Sequence, residues 1–150
     1  MAAGLSLRLE NLPAFRERMR LRVARILSAE LLGPKIDLDE DVPLSAITAA
    51  VVREVGRLAP HGAGNPEPVL AASRVRVAGE PRLMGKRSDH LSFYLTQEGI
   101  SIRAVGFGMG DLQEPLRKAQ TVSVAFTPRI NAWKGKESVE LHLKDVRIDT

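Results

Sequence analysis

Apolar residues along this chain repeat first with the period of a helix and then, from about residue 69, with the period of a strand. Between 12 and 30, Phe15, Met19, Val23, Ile26 and Leu27 fall on one side of a predicted helix, with Asn11 available as its cap and Pro13 in its first turn. Arg18, Arg22 and Arg25 share the other side, which suits either a solvated face or phosphate contacts. Ile36 and Leu38 then alternate with acids as in a short, half-exposed strand. Ser45 is placed to cap a second helix over about 46–58, with Ile47, Val51, Val55 and Leu58 as its apolar stripe.

The stretch LAPHGAGNPEP, residues 58–68, stops that helix, because Pro60, Gly62, Gly64, Pro66 and Pro68 block it repeatedly. It reads as a stiff connector. No strand leads into its glycines and no Gly-Lys-Ser/Thr follows them, so the phosphate-loop pattern fails. Beyond it, Val75 and Val77 mark a strand over 69–78, Leu91, Phe93 and Leu95 a second over 89–96, and Ile100 and Ile102 a third over 100–107. Val122, Val124 and Phe126 mark a fourth, and Val139, Leu141 and Leu143 a fifth. Between the third and fourth, Asp111-Leu-Gln-Glu114 has the spacing of a capping box that opens a short helix to about Ala119. The glycines of GFGMG, 106–110, break the dinucleotide fingerprint at Asp111 and read as a bend leaving a strand.

The predicted class is therefore α+β: two N-terminal helices with a short strand, then a five-stranded OB-type barrel with one helix between strands three and four. The predicted division is 1–57, a linker at 58–68, and a barrel domain at 69–150. Barrels of this type bind oligonucleotides on strands two and three, framed by the loops joining strands one to two and four to five. Here the first framing loop, 79–88, carries Arg82, Lys86 and Arg87, and the second, 129–138, carries Arg129, Lys134 and Lys136 around Trp133. Strand alternation turns His90, Ser92 and Tyr94 outward, and gives Arg103 and Phe107 the parity opposite to Ile100 and Ile102. Trp133, the one tryptophan, has two readings: a stacking surface for bases among phosphate-binding cations, or a cap folded back over the barrel end.

Composition narrows the chemistry. The absence of cysteine removes thiol nucleophiles, disulfides and zinc ribbons, and the three histidines, His61, His90 and His142, are far apart in sequence. Asp37, Asp39, Glu40 and Asp41 form the one compact acidic group, readable as a Mg²⁺ site or an exposed acidic strand. No apolar run is long enough to span a membrane, and a cytoplasmic protein is expected. Lys/Arg and Asp/Glu balance at nine each over 1–68, while 69–150 hold thirteen and nine, so the whole net charge of +4 belongs to the predicted barrel. That asymmetry points to a polyanionic partner.

Several stretches together resemble the RecJ single-strand-specific exonucleases of the DHH phosphoesterase superfamily: AAGLSL at 2–7, ENLPAFRER at 10–18, LAPHGAGNPEPVL at 58–70, HLSFYL at 90–95, AVGFG at 104–108 and NAWKG at 131–135. The family usually has an aromatic where this chain has His61. The resemblance implies the C-terminal part of such an enzyme, with 1–57 as the end of its DHHA1-type domain and the OB domain gripping single-stranded DNA, and it adds Asn131 to the candidate contacts. It also implies hydrolysis from the 5′ end with Mn²⁺ or Mg²⁺ in a separate catalytic domain, since Asp-His-His and Gly-Gly-His do not occur here. No catalytic residue and no cofactor are expected in this chain. The alternative is a protein-interaction module docking a DNA-repair partner such as a helicase or single-strand-binding protein, with Trp133 as its anchor.

Overall fold

The computed structural model of the protein describes residues 4–27, 35–133 and 135–149. The chain divides into two compact units, Met1–Ile36 and Asp37–Thr150. In the first, a 3-10 turn at Leu9–Asn11 runs into helix α1, Leu12–Ile26, with Pro13 in the first turn, where a missing N–H goes unneeded. The Asn11 side chain, predicted as the cap, makes no capping bond: the preceding turn already holds it in helical conformation, not the extended one that aims a cap at the helix. The helix also ends before residue 30, at Ile26, because Leu27 turns extended while its N–H closes on the Val23 carbonyl at 2.8 Å. None of its residues is buried, its apolar stripe included.

The second unit is a closed barrel. Strands β2 (Leu70–Met84), β3 (His90–Gln97), β4 (Ile100–Gly106), β5 (Thr121–Trp133) and β6 (Lys136–Ile148) pair in the order β2-β3-β4-β6-β5, and β5 closes back on β2. Every pair is antiparallel except β4 with β6. Strand β2 serves two partners by bending: Leu70–Arg76 lies along β5 and Arg76–Met84 along β3. The register shifts after Ala72 and Ala78 accommodate the bend, and Gly79 takes a positive φ of 72° inside the second. A two-residue strand, β1 (Glu40–Asp41), pairs in parallel with Leu70 and Ala71. Ile36 and Leu38, predicted in that strand, are exposed and outside it, for only the two acids reach the β2 edge.

The inward positions are those of the two-residue period. Val75, Leu91, Phe93, Leu95, Ile102, Val122, Val124, Phe126, Leu141 and Leu143 form one buried cluster. Each such side chain is worth about 1.5–3 kcal/mol when removed from water. Leu116 of helix α3 (Gln113–Lys118) joins the cluster from between β4 and β5. The predicted Asp111 cap is absent: Gly110–Leu112 forms a 3-10 turn, and no side chain caps α3. That approach is fixed by backbone instead, since the Gly110 N–H donates to the Asp89 carbonyl at 3.1 Å. A Cβ at Gly110 would lie 2.9 Å from the Ser88 carbonyl oxygen, so close passage requires glycine there.

Leu44, Ile47 and Val52 enter the same core from residues ahead of the Gly/Pro stretch. Ser45, predicted to cap a helix from 46, lies in a 3-10 turn at Leu44–Ala46. Helix α2 begins later, at Ala49–Gly56, and its cap is Thr48, whose Oγ1 accepts from the Val51 N–H at 3.2 Å. Burial of Leu44 and Ile47 three residues apart explains the delay, because one tight turn aims both at the barrel. The Leu44 N–H is satisfied by Gln97 Oε1 at 2.8 Å, where β3 ends. In the Gly/Pro stretch, Asn65 Nδ2 donates to the carbonyls of Leu58 and Pro60 at 2.8 and 3.0 Å, and Gly62 and Asn65 exchange backbone bonds.

Candidate nucleic-acid interface

Strand alternation sets the outward face of β3, β4, β6 and β5. Register aligns Tyr94 with Arg103, Arg103 with Glu140, and Glu140 with Arg129, so these four form one row across the sheet. His90 and Ser92 on β3, His142 on β6, and Asn131 and Trp133 on β5 share the face, and Phe107 follows β4 at one end. Arg82 lies opposite Ser92 and Arg76 opposite Thr96, which extends the face onto β2.

Both framing segments differ from the predicted loops. Strand β2 continues to Met84, so Arg82 is a strand residue, and only Lys86 and Arg87 lie in the short connection to β3. Strands β5 and β6 form a long hairpin in which Asn131 pairs with Ser138 and Trp133 with Lys136. Arg129, Asn131, Trp133 and Lys136 therefore stand on strands at fixed positions, and Gly135, with φ of 75°, makes the turn. Lys134 lies outside the described residues. Trp133 is 71% exposed at the hairpin tip. It covers no end of the barrel, which removes one of its two readings.

The aromatic side chains are open to solvent: Tyr94 is 51% and Phe107 56% exposed. Phe107 stands edge-on between two imidazoles, with ring centroids 5.4 Å from His90 and 5.3 Å from His142. His90 Nδ1 accepts the Gly108 N–H at 3.1 Å, which fixes that ring. The His142 pKa is lowered, first by burial and then by the nearby Arg129, against the pull of Glu140; the ring is neutral at neutral pH.

The predicted cations fall into two groups. Arg103 is engaged internally: Nη1 donates to Glu140 Oε1 at 2.5 Å, Nε to Ser92 Oγ at 2.9 Å, and Nη2 faces Met84 Sδ at 3.3 Å. Arg129 pairs with Glu67, which also takes Lys144 at 3.4 Å. Burial pushes the Glu67 carboxyl up, but Arg129 and Lys144 outweigh it and hold the pKa below its ordinary value. Arg82, Lys86, Arg87 and Lys136 are exposed and form no ion pair among the described residues, and the same holds for Arg76. Arg76 was not among the sequence candidates, although the parity of Val75 would have turned it outward; Phe107, which strand parity turns outward, is exposed as expected.

Glu140 has no counterpart in the sequence reading either. It is 7% exposed at the middle of the face, accepting from Arg103 and, at 2.6 Å, from Asn131 Nδ2. Its two partners lie 37 and nine residues away, and only the parallel β4–β6 register brings Arg103 to it. Asp39 and Asp41 of the acidic segment are occupied by structure: they accept from Val69 N–H at 2.7 Å and Ser73 N–H at 3.2 Å. Among the described residues, no group of three or more His, Asp or Glu side chains is placed to hold a metal ion. Nor is any described helix long and apolar enough to cross a membrane.

The barrel, its parallel β4–β6 closure and the helix between β4 and β5 agree with a family comparison: residues 38–145 match the family described as the RecJ OB domain. The chain belongs to that family. It is 28% identical over 148 residues to the single-stranded-DNA-specific exonuclease RecJ of Bacillus subtilis, covering 99% of this chain and 19% of the relative. The RecJ of Thermus thermophilus is 31% identical over 150 residues, covering 97% of this chain and 20% of the relative. The crystal structure of the Thermus thermophilus RecJ in complex with Mn²⁺ superposes with a TM-score of 0.73 at 28% identity, over 98% of this chain and 20% of that one. A second structure of that RecJ is a complex with Mg²⁺. This RecJ OB-family chain thus spans about a fifth of the length of the relatives it matches.

Proposed function

We propose that the outward face of the barrel binds single-stranded DNA, as the OB region of a RecJ-like 5′–3′ exonuclease acting in DNA repair and recombination in the cytoplasm. The observation that carries the reading is one continuous sheet face on which Tyr94, Phe107 and Trp133 stand exposed between cations that form no ion pair among the described residues. Single strands offer base faces that stack on aromatic rings, each worth about 1–3 kcal/mol, and phosphates that Lys and Arg neutralise. Duplex hides the first of these. The strand crosses the face with its bases over Trp133, Tyr94 and Phe107 and its phosphates toward Arg82, Lys86, Arg87 and Lys136. Arg103 and Arg129 shape the face beneath it and are already satisfied by Glu140 and Glu67.

Hydrolysis, and the Mn²⁺ or Mg²⁺ it would use, belong in this reading to a catalytic domain outside this chain. Fluorescence anisotropy of a labelled oligonucleotide tests the binding. Affinity should fall with salt at a slope of about −3, the value for four phosphates on a single strand, and duplex should bind less tightly. Tight binding with little salt dependence to a helicase or single-strand-binding protein, and none to DNA, would replace the reading with a protein-docking role.

A further inference from the structure

The amide of Asn131 is used unequally at its two ends. Nδ2 donates to Glu140 Oε1 at 2.6 Å, the same oxygen that takes Arg103 Nη1 at 2.5 Å. A carboxylate only accepts, so turning the amide over would press Oδ1 against another acceptor. Glu140, nearly buried and held by Arg103, therefore fixes which end of Asn131 faces outward. That end is the carbonyl oxygen Oδ1, and among the described residues nothing donates to it. Trp133 lies two residues further along the same face of β5, about 7 Å away at the rise of a strand.

We propose that Asn131 gives the face a base preference: its locked carbonyl, beside the indole of Trp133, favours nucleobases carrying an exocyclic amino group over thymine. The proposal rests on single-stranded DNA binding by this face. A cytosine seated on Trp133 turns its N4 amino group toward Oδ1, and adenine or guanine can do the same with N6 or N2. Thymine has one donor, N3–H, flanked by two carbonyl oxygens, so approach to Oδ1 brings a carbonyl against the Asn131–Glu140 acceptors. One neutral hydrogen bond corresponds to about a three- to ten-fold preference, small enough that every sequence still binds.

Competition anisotropy at fixed salt, using oligodeoxycytidylate and oligothymidylate of equal length, reads the preference directly. A third oligomer carries pyrimidin-2-one in place of cytosine and so lacks only the amino group. Cytosine should bind about three- to ten-fold more tightly than thymine, and the pyrimidinone strand should fall to the thymine level. Asn131→Leu should bind all three alike. Equal binding of cytosine and thymine strands, or a pyrimidinone strand bound as well as cytosine, overturns the proposal and leaves DNA binding intact. Failure of every oligomer to bind overturns both. The pyrimidinone arm needs no protein variant, so a folding defect in Asn131→Leu cannot rescue the idea.

Discussion

Replacing Arg103 by Met should damage the fold more than it damages DNA binding, which separates this arginine from the other candidate cations. The Met side chain keeps an aliphatic stem but removes the charge and the guanidinium contacts with Ser92 and Met84. Glu140, 7% exposed, then keeps Asn131 Nδ2 at 2.6 Å and His142 Nε2 at 3.8 Å, and loses its one cation at hydrogen-bond distance. Removing one partner of a buried pair costs about 3–5 kcal/mol, and the lower end applies because Asn131 still donates. Glu140→Gln should cost only about 1 kcal/mol: the amide oxygen still accepts from Arg103, whose side chain is 33% exposed and keeps contact with water. The double variant should resemble Glu140→Gln alone, giving a coupling of about 2–3 kcal/mol between the two positions. Urea denaturation followed by far-ultraviolet circular dichroism is the assay, since the exposed Trp133 reports poorly on unfolding. A loss below about 1 kcal/mol for Arg103→Met, or a double variant as unstable as Arg103→Met, would refute the reasoning.

Other consequences are independent of that pair. Trp133→Ala should leave stability within about 0.5 kcal/mol, because the indole is 71% exposed, yet weaken single-strand binding by about 1–3 kcal/mol with the salt slope unchanged; paired melts and titrations check both. Lys86→Ala should do the reverse, a smaller loss of affinity with the slope reduced by about one unit when titrated at several salt concentrations. Glu67 has a pKa held below its ordinary value of 4.5, so the unfolded chain binds its proton first as pH falls. Its contribution is therefore complete above about pH 4.5 and is lost as pH drops through the lower folded value. Glu67→Gln should be less stable at neutral pH and show a shallower acid limb in denaturation midpoints measured from pH 7 to 3. Added Mn²⁺ should produce no release of nucleotides from single strands by this chain, measured by gel after removal of contaminating nuclease.

Much of the barrel was legible because its interior uses one rule. Residues such as Leu91, Phe93 and Leu95 alternate with polar neighbours, and each enters the core as the alternation requires. The rule fails where no core exists to impose it: β5 and β6 run on past Ile130 and Val139 as a solvent-exposed hairpin, and RINAWKGKES reads as loop because past Ile130 its inward parity carries only the small, exposed Ala132, paired with Glu137. Helix starts were misplaced for a related reason. Leu44 and Ile47 have helical spacing but serve a 3-10 turn, and the cap fell to Thr48, one turn later. The exposure of Trp133 was not decidable from composition, since tryptophan among lysines suits both a stacking tip and a cover. Glu140 was hidden differently. Its importance comes from partners on β4 and β5 that only the barrel closure brings together, and no local spacing encodes it.

Trp133 is the sole tryptophan, so its own emission reports on the central claim without a label. Titration of the protein with an unlabelled single strand at low salt should quench that emission saturably, and added salt should reverse the quenching at a slope of about −3. A duplex of the same sequence should quench less at equal concentration, because its bases are already stacked. Emission unchanged at strand concentrations up to roughly 100 µM, the weak end of non-specific binding, or quenching by duplex equal to that by single strand, would contradict the account.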